Sequence, residues 1–465
     1  MLCGRKGFAM LNRRLLLSSI ASMGLCAAAG TVTAANLKPA QDGLRGTIDL
    51  SGYGIAPDAG ADQSKAFNRL LRDAARRGLP VFLPAGDYLL SGVTLPDNLW
   101  LSGVPGRTRL VHAGGGGFLR GEGLGRLTLS DLVLDGGDKT LGDDVEGLLN
   151  LHGIANLTIE NCTITGSSKH GINAEHCGGR IDGNSLSRAA AAGIYAVESE
   201  KLSITANTVF DCGNGGIHVH RWEAAEDSTM VSGNRVFQIA AKDGGTGENG
   251  NGINIFRAAN VMVTDNHVSD CAFSAIRANS ASDVQISDNQ CLRSGETAIY
   301  SEFGFEGAVV SGNLVDGAAN GILIVNFNEG GRLATVSNNI VRNLHVEGPY
   351  IHDGAGFGFG IAVEADTAVT GNIIENAPKW GLMLGWGAYM RNVIATGNLV
   401  RSAGGGCAVT VVEGSGTALI ANNLFQDVRD GAILGYRWNE KATGDLMKGG
   451  SEAFAHLTLS GNRLS

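Results

Sequence analysis

Residues 284–292, VQISDNQCL, and residues 308–315, AVVSGNLV, share one pattern: a β-rich triplet, a turn ending in Asn, then an apolar pair. The pattern recurs as LTIENCTI at 157–164, TMVSGNRVF at 229–237, VIATGNLV at 393–400 and LTLSGNRL at 457–464, with further copies between. The turn asparagines align as Asn161, Asn184, Asn207, Asn234, Asn266, Asn289, Asn313, Asn339, Asn372, Asn398, Asn423 and Asn462. Their shortest spacing is 23 residues, with longer steps of 32, 33 and 39. A small residue before Ile or Leu stands between them, as in Gly171-Ile172, Gly193-Ile194, Gly216-Ile217, Gly252-Ile253, Ala275-Ile276, Ala298-Ile299, Gly321-Ile322, Gly360-Ile361 and Gly381-Leu382. Short alternating strands with turn residues at fixed offsets and a period in the low twenties describe one turn of a parallel solenoid per repeat. The predicted fold is all-β, a single-stranded right-handed parallel β-helix of about 12–13 coils. The Asn stack reads as structural, because Asn tolerates a left-handed turn and its amide can bond the next coil. Catalytic asparagines would not recur in every coil.

Upstream of the repeats, residues 62–78 (DQSKAFNRLLRDAARRG) place apolar side chains at 66, 67, 70, 71, 74 and 75, an amphipathic helical pattern. Residues 80–90 (PVFLPAGDYLL) and 95–104 then read as the first strands. An open solenoid end is an exposed edge, so the helix is predicted to cap it. The run from Tyr53 through Leu71 (YGIAPDAGADQSKAFNRLL), with residues 79–92 (LPVFLPAGDYLLSG), resembles the N-terminal segment of pectate-lyase-type β-helix proteins. The whole chain, leader included, resembles a family of twin-arginine-exported repeat proteins of unknown function. The resemblance implies the fold and is nearly silent on chemistry.

Composition agrees with an exported solenoid. The 465 residues carry formal charge −9, 17% charged and 43% apolar residues, and 70 glycines without a collagen period. An acidic balance without basic runs argues against nucleic acid as a partner. Residues 1–35 read as a leader: Arg13-Arg14 precede an apolar run to Gly30, and small residues at 32–35 offer a cleavage site. Met10 is an alternative start, and Leu25 before Cys26 fits a lipoprotein site poorly. The expected organisation is leader 1–35, cap and first coils 36–125, and repeats 126–465. No later segment is long and apolar enough to span a membrane, so a periplasmic or secreted monomer is expected. Cys162, Cys177, Cys212, Cys271, Cys291 and Cys407 form no CxxC or Cys/His spacing. They read as small core residues, and no metal or cofactor is expected.

Counting from each small-residue–Ile pair, the next residue and the one two further on face outward. The first outward row is Asn173, Tyr195, His218, Asn254, Arg277, Tyr300, Leu323, Ala362 and Met383. The second is Glu175, Val197, His220, Phe256, Asn279, Glu302, Val325, Glu364 and Gly385. The middle of this face is rich in His, Arg, Tyr, Asn and Glu, as a sugar-binding face would be, and its C-terminal part is bland. Two insertions, Ala241–Asn251 and Leu344–Gly358, leave the same edge and flank the rich stretch. The second brings His345, Tyr350 and His352. A third, Arg437–Ala455, lies near the C-terminus. At about 4.8 Å per coil, the four steps from Asn254 to Ala362 span about 19 Å. The GxGxxG at Gly245–Gly250 leads into a strand and is not a dinucleotide motif.

The sequence therefore points to a polysaccharide partner, with three readings of the chemistry. In a lyase or C5-epimerase acting on an anionic polymer, Arg277 would neutralise a uronate, His218 or His220 would abstract the C5 proton, and Tyr300 would donate. Glu302 completes that catalytic set. Tyr195, Asn254, Asn279, His345, Tyr350 and His352 would bind substrate. In an inverting glycoside hydrolase, Glu302 and Glu364 would act two coils apart, at about 9.6 Å. In the third reading the chain is a non-catalytic glycan-binding or structural envelope protein.

Overall fold

The computed structural model describes residues 46–351 and 354–465. The leader with Arg13 and Arg14, and the candidate His352, lie outside the described residues. The unit Asp42–Ser465 is a right-handed β-solenoid of about 14 turns. Each full turn contributes three strands, and every strand except Glu440–Asp445 pairs in parallel with its counterparts one coil away. On the first face the isoleucines stack in register, Ile172 on Ile194, Ile217, Ile253, Ile276 and Ile299, and all are fully buried. On the second face Ile181, Ile204, Val231, Val263, Ile286 and Val310 stack likewise. The third face comes after the Asn turn and stacks Leu186, Val209, Val236, Val268, Cys291 and Val315. β-Branched side chains of matching shape fill a narrow interior coil upon coil, which is why the alternation reads so clearly in the sequence.

The count exceeds the 12–13 coils expected because the first coils lack the Asn turn. Their strands, such as Val93–Leu95 and Leu119–Ser130, are leucine-rich, yet they pair in register with the later coils. Strand Leu119–Ser130 runs across residue 125. The helix Ser64–Arg77 forms where predicted and buries Phe67, Leu70, Leu71 and Ala74. Asp62 Oδ1 accepts the Ser64 N–H, and Gly78 ends the helix at φ 62°.

The Asn turn is a continuous hydrogen-bonded ladder from Asn184 to Asn462. Asn289 Nδ2 donates to Asn313 Oδ1 of the next coil at 3.0 Å and to Val263 O of the previous one at 2.9 Å. Its Oδ1 accepts both Nδ2 and the backbone N–H of Asn266, each at 3.0 Å. Two details correct the expectation. Asn161 is not in the ladder: Cys162 N–H donates to Asn184 Oδ1, so Cys162 holds that position. The left-handed residue is the one before the ladder Asn, as at Ala206 (φ 53°), Asp288 (φ 59°) and Asn161 itself (φ 53°). LTIENCTI therefore carries its Asn one place early relative to its triplet.

The small residue before each Ile is demanded by the stacking. A Cβ on Gly216 would meet Gly252 O at 2.3 Å and Val236 Cγ1 at 2.5 Å. Among the described residues the six cysteines are buried and unpaired. Burial pushes the Cys162 thiol up to about 12 and the Cys177 thiol to about 11, so neither is a reactive thiolate. No helix among the described residues is long and apolar enough to cross a membrane.

Candidate functional site

The first-face strands present the two outward rows in the register the sequence implies. Asn173, Tyr195, His218, Asn254, Arg277, Tyr300, Leu323, Ala362 and Met383 succeed one another across adjacent coils. Beside them run Glu175, Val197, His220, Phe256, Asn279 and Glu302. Both insertions fold over the Arg277 coil. A Cβ on Gly247 would lie 1.6 Å from Arg277 Nη1, so the first insertion rests directly on the guanidinium, and Gly247 itself takes φ 135°, which favours glycine. From the second, Tyr350 donates its hydroxyl to Glu296 Oε1 at 2.7 Å and stacks near Phe273 at 6.2 Å. His345 is exposed and bonds Glu347 O within its own loop.

Arg277 is not the free cation that a uronate site needs. Its Nε donates to Glu302 Oε1 at 2.6 Å and its Nη1 to Glu296 Oε2 at 3.3 Å. Asn279 Nδ2 adds a bond to Glu302 at 2.9 Å, and the guanidinium lies 5.1 Å from the Tyr300 ring centre. Sequence reasoning missed Glu296 because it precedes Ala298-Ile299, outside the two outward rows. Burial holds its carboxyl above the usual range, as expected where two carboxylates share one cation. Tyr300, buried in the same cluster, has its hydroxyl pushed well above the ordinary phenol range, chiefly by desolvation.

The histidines form a separate stack. His170 lies flat on Tyr195 (4.5 Å, 13°), Tyr195 meets His220 edge-on, and His220 stacks on His218 (4.8 Å, 11°). Burial lowers His218 well below its ordinary value and His220 to about 3. A base of that strength is poorly matched to proton abstraction at neutral pH. A Cβ on Gly215 would meet His218 Nε2 at 2.0 Å, so the outer side of that ring is covered as well.

A cleft of about 360 Å³ opens beside these clusters, lined by His220, Thr246, Gly247, Glu248, Asn254, Phe256, Arg277, Asn279 and Phe303. His220 and Arg277 of the catalytic candidates line it, whereas His218, Tyr300 and Glu302 do not. His220 Nε2 and Asn254 Oδ1 are buried without a hydrogen-bond partner in the protein. The Glu248 carboxyl is lowered by backbone N–H groups of its own turn, so it is ionised. Glu302 and Glu364 do lie two coils apart, with Val325 between them. Glu364 instead accepts Phe327 N–H at 2.6 Å, and burial raises it to about 7.

The C-terminal part of the face is not bland. Leu323, Ala362, Met383 and Ala408 of the outward row form an apolar cluster with Phe359 and Trp380, separate from the interior core. Phe359 stacks on Trp380 (5.4 Å, 16°), and Trp380 Nε1 donates to Tyr436 Oη at 3.1 Å. The third insertion forms an antiparallel hairpin, Ile433–Arg437 with Glu440–Asp445, and sets Trp438 edge-on against Trp386 at 5.6 Å. Phe359 and Trp380 open their strands two residues before Ile361 and Leu382, Tyr436 lies on the hairpin strand, and Trp386 and Trp438 lie beyond strand ends, so none belongs to the two rows.

Comparison with known proteins bears on the fold. Residues 111–236 and 147–343 match the family described as a right-handed β-helix region, together half of the chain. The preneck appendage protein of Bacillus phage PZA is 29% identical over 154 residues, 28% of this chain and 17% of the phage protein. Its counterpart in Bacillus phage phi29 is 28% identical, over the same shares. The chain thus matches a minor part of those relatives' length. Among solved structures, the pre-mature bacteriophage phi29 gene product 12 aligns with TM-score 0.50 at 14% identity, covering 83% of this chain and 69% of that one. The catalytic unit of a GH87 α-1,3-glucanase from Streptomyces thermodiastaticus aligns with TM-score 0.50 at 17% identity, covering 90% and 69%. At such identities the likeness is one of fold. Coil register, Asn ladder and family match agree: the chain belongs to the right-handed β-helix family.

Proposed function

We propose that this is a glycan-binding β-helix protein that holds a polysaccharide along the outer face of its first-face strands, without cleaving it. The observation that carries the proposal is the cleft between Phe256 and Phe303. Beside these two rings its lining carries the polar side chains of His220, Asn254, Asn279 and Arg277. Phe303 is 41% exposed. Apolar ring faces with a few fixed hydrogen-bonding groups suit a pyranose, and about 360 Å³ lies in the range of small-ligand sites. Charge disfavours an anionic polymer. Arg277 is the one cation of the lining, and Glu248, Glu296 and Glu302 face it, so a uronate would add a fourth carboxylate. The buried carboxylates and Tyr300 lie outside the lining, which favours binding over acid–base chemistry. Export is proposed on the Arg13-Arg14 leader, which places the protein in the periplasm or outside the cell.

The test is calorimetric titration with neutral hexose oligomers and with uronate oligomers, run beside assays for unsaturated products and new reducing ends. The expected result is saturable binding of a neutral oligomer with no product. Phe303→Ala should weaken it by about 1–2 kcal/mol, roughly five- to thirtyfold. Unsaturated products would make the protein a lyase, and tight uronate binding alone would overturn the charge argument.

A further inference from the structure

Near the N-terminal end of the second outward row, three side chains converge that the proposed glycan cleft does not use. His152 and Glu175 stand directly opposite each other on adjacent coils. His176, next in the chain after Glu175, has φ 51°, a left-handed conformation that turns its ring back toward the same point. One donor atom from each of the three lies within 4.8 Å of the others. His152 Nε2 and Glu175 Oε1 are 3.7 Å apart, and the His152 and His176 rings meet edge-on at 5.4 Å. The Trp222 ring also lies 5.7 Å from His176, nearly perpendicular to it. The residues are 23 and 24 apart in sequence, one coil, so no metal-site spacing was visible.

We infer that His152, Glu175 and His176 form a binding site for a divalent transition ion of the zinc class. Two imidazoles and one carboxylate suit Zn²⁺, Co²⁺, Ni²⁺ or Cu²⁺ and are a poor set for Ca²⁺ or Mg²⁺, which take oxygen ligands. Donors bonded to one ion at about 2.1 Å lie at most about 4.2 Å apart. The His152–Glu175 pair already satisfies that limit, and the remaining closure of under about 1 Å is within reach of partly exposed side chains. Three protein ligands leave at least one position of a tetrahedral ion open to solvent or a ligand. Because two ligands come from adjacent coils, the ion also clips those coils together and stabilises the folded state by mass action.

The experiment uses tag-free protein, stripped with chelator and titrated with ZnCl₂ by calorimetry, with bound metal counted by atomic emission. One Zn²⁺ per chain is expected, together with a rise in the thermal midpoint that excess CaCl₂ does not reproduce. His152→Ala and His176→Ala should each weaken binding about tenfold or more, and Glu175→Gln should weaken it in the same direction. His267→Ala, on the third face, should bind like the parent. All four side chains are at least partly exposed, and circular dichroism verifies their folding. Absence of stoichiometric Zn²⁺ would overturn the inference, as would unchanged affinity in the double variant His152→Ala/His176→Ala, or equal competition by Ca²⁺. None of these results touches the cleft of Phe256 and Phe303, whose titration with neutral oligomers stands separately.

Discussion

Replacing Arg277 by Ala separates the sequence-based role of this residue from its structural one. If Arg277 were an exposed contact for a uronate, the variant would keep its stability and lose anionic-glycan affinity in a salt-dependent way. The structure implies the opposite. Arg277 is bonded to two carboxylates, and the side chains of Arg277, Glu296 and Glu302 are 9%, 1% and 4% exposed. Removing the cation leaves both carboxylates buried and uncompensated, a loss of about 3–5 kcal/mol for a broken buried pair. Burial already raises Glu296, so the variant can relieve its charge by taking up a proton. A carboxyl with a raised folded-state pKa costs stability as pH rises. The deficit relative to the parent should therefore be largest near pH 7 and shrink toward pH 5. Urea unfolding tracked by far-ultraviolet circular dichroism at the two pH values measures it. Arg277→Ala/Glu296→Gln should recover part of the loss by removing one of the stranded charges. A variant as stable as the parent at pH 7, yet deficient in uronate binding at low salt, would refute the buried-cluster account and restore Arg277 as a substrate contact.

Three further outcomes are expected. Asn289→Leu deprives Asn266 N–H and Val263 O of their ladder partner and should cost about 2–4 kcal/mol in denaturant unfolding. Asn161→Gly, outside the ladder and at a left-handed φ that glycine accepts, should stay within about 0.5 kcal/mol; comparable losses in both would refute the ladder's extent. Glu364, raised by burial to about 7, holds a proton in the folded state that the unfolded chain releases above about 4.3, so stability falls as pH rises from there through 7. Glu364→Gln should match the parent near pH 4 and exceed it by about 3–4 kcal/mol near pH 8, and a gain independent of pH would contradict the assignment. Changing Arg13 and Arg14 to Lys should leave precursor in the cytoplasm on fractionation, whereas normal export would point to an ordinary secretory signal.

The solenoid was legible because its determinants are local and repeated. The triplet that alternates inward Ile and Val, the turn Asn and the small residue before Ile each act within one coil, and the next coil repeats them in register. The outward rows came directly from this, since a strand alternates its faces at fixed period. The slip at Asn161 shows the limit of that reasoning. Residue identity and register part company there, and only the bond from Cys162 to Asn184 fixes which position belongs to the ladder.

What each outward side chain can do was decided by the tertiary structure. A row assigns Arg277 to the surface, but the insertion at Gly247 covers it and Glu296 and Glu302 occupy its hydrogen bonds, and these come from other coils and from a loop. The same holds for His218, read as a base and buried against Gly215, and for Trp380, Trp386 and Trp438, which gather from a strand, a turn and a hairpin into one aromatic patch. Sequence by itself determined the backbone path, because coil stacking depends on period and residue type within about 23 residues. Burial, charge pairing and the shape of the cleft depend on which loops fold back over the face, and that is set by contacts between residues far apart in the chain.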